Sequence, residues 1–290
     1  MPSEVRKIDP NHRLGLHELA KSGEGCSRPD GSFRFQLKFA KEQTEDILLN
    51  LDNLVKNTID KAPVRSKDFC LDRVTDPELT HEEDKWERAM YKKWGPAGSG
   101  EFVSICKRIQ TYQYPLQEHG KENRSWGEID LLGIGTDFLP VPIELKKREA
   151  AESPLRMLVE VAAYGFAIRK AWPSLKDDWV KFVSWFGVSS LQFPATLERV
   201  TLIGVAPAEY WLQCLGLLRR TKKGQFPPGA WPPFWELVDT LREKWLFDID
   251  FVAVEGTWGD DGTGGSPTIN GARVLDRTLN PAANTPDSGQ

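Results

Sequence analysis

The chain has 290 residues, enough for one large domain or two small ones, and 40% of them are hydrophobic and 28% charged, the composition of a globular protein. A formal net charge of -4 excludes bulk electrostatic attraction to nucleic acid and leaves only a local basic surface for that role. No apolar run is long enough for a bilayer, MPSEVRKIDP has no apolar signal region, and Cys26, Cys70, Cys106 and Cys214 form no CxxC pair. The expectation is a soluble cytoplasmic protein with no membrane partner, reduced thiols, and neither a zinc site nor a disulfide framework.

Residues 1 to about 30 are polar and rich in turn formers, and read as an arm. Phe33, Phe35, Leu37 and Phe39 alternate with Arg34, Gln36 and Lys38, which predicts a half-buried strand. A helix is expected over 44–55, with Ile47, Leu48, Leu51, Leu54 and Val55 on one side. Thr80-His81-Glu82-Glu83 has capping-box spacing, so a helix should run from there to about Trp94. Its buried stripe is Trp86, Met90 and Trp94, with Glu83 inside the stripe and Glu87 at its edge. A short helix near 102–106 and a strand over 109–118 follow, then a polar turn.

The segment from Ser125 to Lys147, SWGEIDLLGIGTDFLPVPIELKK, holds two strand-like runs joined by a tight connection. Strand side chains alternate faces, so Glu128 and Asp130 share one face of the first run. Glu144 and Lys146 share one face of the second, with Ile143 and Leu145 pointing the other way. If the runs pair as a hairpin, Asp130, Glu144 and Lys146 meet at one spot. Two carboxylates beside an ammonium suit a hard divalent cation, which takes oxygen ligands and needs only one or two protein carboxylates. The competing reading is a hairpin with solvated charges on its outer face.

Beyond Lys147 a helix is expected over 154–170, with Pro154 at its start. Its one polar sector carries Ser153, Arg156, Glu160 and Tyr164, where Glu160 either faces the site or pairs with Arg156. A second amphipathic segment should cover 179–186, and 199–207 reads as a buried strand. A helix over 208–220 ends in the basic cluster Arg219, Arg220, Lys222 and Lys223, which suits phosphate contact or simple solvation. The Pro- and Trp-rich run 226–235 reads as a packed loop, 237–245 as a helix and 247–254 as a last strand. From Gly256 onward the composition predicts a mobile tail.

An acid on one strand followed by acid-x-Lys on the next resembles the PD-(D/E)XK nuclease superfamily, the restriction-endonuclease-like fold. Asp130 and Glu144-Leu145-Lys146 carry the resemblance, over residues 80–206; Ile129 stands where the family name has proline. The resemblance implies a mixed α/β fold, a central mixed sheet flanked by helices in the order α-β-β-β-α-β with additions. The chain is expected to divide into an arm and strand-helix extension (1–78), a nuclease-like domain (79–255) and a flexible tail (256–290). The resemblance implies Mg²⁺ or Mn²⁺ held by Asp130, Glu144 and the backbone carbonyl of Leu145. Lys146 would orient or activate water and stabilise the transition state. Glu87, Glu83, Glu128, Glu160 and Tyr164 are candidates for site support. Glu87 is preferred from the preceding helix, because Glu83 is also the capping-box glutamate. The implied activity is hydrolysis of DNA phosphodiesters in restriction, defence or repair, with RNA the alternative substrate and a homodimer or larger complex the alternative to a monomer. Two rivals stay open: a non-catalytic nucleic-acid-binding or assembly subunit that retained the fold, and a purely structural interaction protein.

Overall fold

Alternation places Val141, Ile143 and Leu145 on one side of a strand and Glu144 on the other, and the fold is built around that strand. A computed structural model describes residues 14–22, 33–63, 82–115, 126, 128–148, 152–184, 191–212, 231–257 and 267–275. The elements are α1 (Leu16–Ser22), α2 (Phe33–Lys61), α3 (Glu82–Trp94), β1 (Cys106–Pro115), β2 (Glu128–Gly135) and β3 (Pro140–Leu145), followed by α4 (Pro154–Ser184), β4 (Val200–Pro207), α5 (Pro232–Trp245), β5 (Phe247–Thr257) and β6 (Thr268–Val274). The six strands form one mixed sheet in the order β1-β2-β3-β4-β5-β6. The β1–β2, β2–β3 and β5–β6 pairs are antiparallel, and β3–β4 and β4–β5 are parallel.

Helices cover both faces. Helix α4 is the crossover between the parallel strands β3 and β4 and packs on both, with α1 and α2 docked on its outer side and α5 against β5. Leu132, Ile134, Leu202, Phe247, Ile249 and Phe251 turn to this face. Helix α3 lies on the other face, where Trp86, Met90 and Trp94 pack against Leu131, Ile143, Leu145, Ile203 and Val252. Two glycines let α4 sit close to the sheet. A Cβ at Gly165 would stand 2.8 Å from Leu202 Cδ2, and one at Gly204 would stand 2.4 Å from Met157 Sδ. The tight seating fixes the height of the helix's polar sector over β3.

Six expectations fail. The alternating run 33–39 is not a strand but the first turns of α2. No Gly or Pro separates it from the apolar stripe through Ile47, Leu51 and Leu54, and a helix once nucleated propagates more cheaply than a strand starts. Residues 102–106 form a tight turn closed by a Val103–Cys106 bridge, not a helix, and β1 begins at Cys106. Helix α4 does not stop near residue 170; it continues through Pro173 and includes residues 179–184 of the separate segment expected further on. An interior proline costs about 3 kcal/mol. Trp172 and Trp179 on either side are fully buried, each contributing about 4–6 kcal/mol by area burial. The loop expected up to residue 235 gives way at Pro232, where α5 starts with proline in its first turn. The expected tail contains β6, hydrogen-bonded along β5, with Leu275 N–H donating to Phe251 O at 2.7 Å. Residues 14–22 of the expected arm include α1, whose Leu16, Leu19 and Ala20 join the core cluster.

The basic cluster Arg219, Arg220, Lys222 and Lys223 lies outside the described residues, as do the capping-box residues Thr80 and His81. Among the described residues, no helix is long and apolar enough to cross a membrane. Cys106 is buried as a free thiol, and burial pushes its pKa up to about 12, so it is inert.

Candidate active site

The hairpin register decides which side chains meet. Leu131 pairs with Ile143 and Leu132 with Pro142. Continuing by one residue sets Asp130 opposite Glu144, both on the α4 face. Asp130 is fixed by the backbone: its Oδ2 accepts the Leu145 N–H at 2.7 Å. Lys146 follows β3 and remains tied to the sheet, its N–H donating to Val205 O at 2.9 Å. Its side chain turns back over Glu144.

Lys146 is buried, with 3% of its surface exposed, and its ammonium forms ion pairs with three carboxylates. These are Glu144 Oε1, Glu160 Oε2 at 2.8 Å and Glu152 Oε2 at 2.8 Å. Arg156 completes the network from α4, with Nη1 on Glu152 Oε1 at 2.8 Å and Nε on Glu160 Oε1 at 3.1 Å. Glu160 therefore both pairs with Arg156 and faces the site; the two readings of its polar sector hold together. Glu144 Oε2 is buried without a hydrogen-bond donor.

The electrostatics follow from burial and crowding. Desolvation, opposed by Lys146 and reinforced by Glu83, pushes the Asp130 pKa up to about 7. Burial and then the Asp130 charge raise Glu144 well above the usual carboxylate range. Burial acts to lower Lys146, but Glu144, Glu160, Glu152 and Asp130 outweigh it and hold the ammonium charged. Glu160 ends below its ordinary value because Lys146 and Arg156 outweigh its burial. Tyr164 is raised well above its usual range by burial and by Glu144, Asp130 and Glu160, so its hydroxyl stays protonated.

No protein-family model, curated protein or solved structure matches this chain.

Asp130, Glu144, Lys146, Glu160 and Tyr164 come together on the α4 face. From α3, Glu83 reaches the end of β3, accepts a hydrogen bond from the Lys147 backbone and repels Asp130. Burial raises its pKa. Glu87, the preferred residue, is buried one turn further along the helix. Glu128 stands exposed at the start of β2, on the Asp130 side. Glu152 escaped the sequence reading. Its only signal was the Glu152–Arg156 spacing of four, and Pro154 between them made that look like loop chemistry rather than a helix pair.

Among the described residues, no group of three or more His, Cys, Asp or Glu side chains is arranged to hold a metal ion. Two carboxylates are nonetheless the donor set that Mg²⁺ uses from a protein, water and phosphate supplying the rest. The donorless Glu144 Oε2 and the mutual repulsion of Asp130 and Glu144 fit such an ion, which would satisfy the one and relieve the other.

Proposed function

We propose that the chain is a metal-dependent nuclease of the PD-(D/E)XK kind, hydrolysing DNA phosphodiester bonds. The observation that carries the proposal is Asp130 opposite Glu144 across a hairpin, with Lys146 two residues on, all on the α4 face. Asp130, Glu144 and the Leu145 carbonyl would hold Mg²⁺ or Mn²⁺. Such an ion makes bound water acidic and polarises a phosphoryl oxygen.

The remaining work belongs to the chain. Lys146 is held charged, so it is a poor base; its part is to donate hydrogen bonds to negative charge developing on the phosphate. Glu160 and Glu144 aim the ammonium, and Tyr164 offers a protonated hydroxyl beside them. Burial under α4 lowers the local dielectric and strengthens each of these interactions.

Circular, linear and single-stranded DNA, and RNA, incubated with Mg²⁺, Mn²⁺ or chelator, test the reading. Cleavage that needs the cation and disappears in Asp130→Asn and Glu144→Gln supports it. A second reading, a binding or assembly subunit that keeps the network for structure alone, is favoured by the saturation of Lys146 by three carboxylates. Binding without cleavage under every condition selects it.

A further inference from the structure

Of the three carboxylates on Lys146, one differs. Glu144 is buried and Glu160 largely covered, with 3% and 13% of their side chains exposed, whereas Glu152 is 26% exposed. Glu152 also spans two cations with its two oxygens, Oε2 on Lys146 and Oε1 on Arg156, both at 2.8 Å. Neither cation depends on it: Lys146 keeps Glu144 and Glu160, and Arg156 keeps Glu160. Glu152 is thus an outer anion on a cation pair whose inner sides are already satisfied.

A carboxylate placing one oxygen on each of two cations has the local form of a phosphate doing the same with two non-bridging oxygens. Arginine and lysine are the side chains that phosphates select, the first through a planar fork and the second as a point charge. A buried ion pair with only structural work needs no solvent-facing third acid, since one partner on each cation compensates its charge.

We infer that Lys146 and Arg156 form a single phosphate seat, and that Glu152 occupies it as an internal stand-in until a phosphate group displaces it. Resting on the nuclease reading, the displaced group would be a backbone phosphate of the bound strand. Arg156 is then a phosphate-binding residue, and Glu152 is a competitor that keeps the empty site closed to weak anions. Entry requires the Glu152 side chain alone to swing outward, while Glu144 and Glu160 hold Lys146 in place.

Inorganic phosphate and pyrophosphate are the probes, titrated calorimetrically into the full chain with Mg²⁺ and again with chelator. Glu152→Gln keeps the shape but removes the competing charge and one of the two acceptor oxygens, and should bind at least about tenfold more tightly than wild type, about 1.4 kcal/mol. Adding Arg156→Gln should abolish the gain. Glu152→Ala supplies the same comparison if the glutamine variant misfolds. Equal affinity of wild type and both Glu152 variants under both conditions overturns the seat, as does a gain that survives loss of Arg156. Cleavage assays separate the two proposals. On DNA the Glu152→Gln gain should appear in KM. Tighter phosphate binding without cleavage of any nucleic acid rejects the nuclease reading and keeps the seat; cation-dependent cleavage without the phosphate gain does the reverse.

Discussion

Replacing Lys146 by methionine keeps most of the side-chain volume and deletes a buried ammonium. Glu144 and Glu160 lose their common cation, and only Arg156 remains beside Glu160. Removing one partner of a buried charge network costs about 3–5 kcal/mol, and that range should apply at pH 8. The cost should depend on pH with a definite sign. In the wild type Glu160 sits below its ordinary pKa, so its stabilisation is present above the unfolded-state value and is lost as pH falls through the folded one. Without Lys146 the folded-state value of Glu144 rises further above the unfolded one, and Glu160 loses the ammonium that holds it low. The penalty then grows as pH climbs from about 4.5, because carboxylates that would rather stay protonated are forced to ionise. Near pH 5 Glu144 remains protonated and Glu160 keeps Arg156, so the deficit should shrink to about 1–2 kcal/mol, the cost of lost hydrogen bonds. Urea unfolding followed by tryptophan fluorescence, at both pH values in chelator, measures this. A deficit below about 1 kcal/mol at pH 8, or one that does not change with pH, would falsify the account of Lys146 as the charge that holds the cluster. In the cleavage assay the same variant should lose at least about 10²-fold in single-turnover rate.

Asp130→Asn, measured without divalent cations, should be more stable than wild type at pH 8, by up to about 4 kcal/mol. Its pKa is raised to about 7, so the penalty it removes exists only above the unfolded value; at pH 4 the two proteins should match, and a less stable variant at pH 8 counts against the crowding argument. Saturating Mg²⁺ should raise the melting temperature of the wild type, worth about 2.7 kcal/mol at 100 times Kd, and leave an Asp130→Asn, Glu144→Gln double variant unmoved; equal shifts would place the ion elsewhere. Gly165→Ala should cost about 1–3 kcal/mol in chemical denaturation, since its Cβ must push Leu202 and Phe247 away, and an unchanged midpoint would show that α4 has room to lift. Leu246 caps α5 in the left-handed region at φ 55, so Leu246→Gly should gain up to about 1 kcal/mol in the same assay; a loss would mean that its packing outweighs the backbone cost.

The parts of the site legible from sequence are those where local period determines geometry. Alternation along β2 and β3 put Asp130, Glu144 and Lys146 on one face, and helical spacing put Glu160 and Tyr164 in one polar sector of α4. The stripe Trp86, Met90 and Trp94 was legible for the same reason. Other features depend on what lies across space. Glu83 and Glu87 are one helical turn apart, and which of them meets Asp130 depends on how the start of α3 lies against β3. Glu152 joins the site because α4 begins where it does, carrying Arg156 toward Lys146. The alternation of 33–39 was genuine in the letters but lost to a helix continuing from downstream. The sequence from Gly256 onward has the composition of a tail, and β6 exists because the β5 edge offers it backbone partners.

Helix α4 is pinned to the β2–β3 hairpin at two distant points. Near its start Glu160 holds Lys146, and near its end the Trp179 indole N–H donates to Phe138 O at 2.7 Å, in the turn that joins the strands. The two pins are 19 residues apart along the helix, about 28 Å. A slip of one residue between β2 and β3 would turn Glu144 into the apolar α3 face and bring Ile143 beneath Glu160. It would also displace the turn from the indole. One rigid rod therefore checks the strand alignment at both ends, and a misaligned hairpin loses an ion pair and a hydrogen bond together. The proline crossed without interruption is what makes this possible: a helix broken at Pro173 would let the turn shift while the charged end stayed in place.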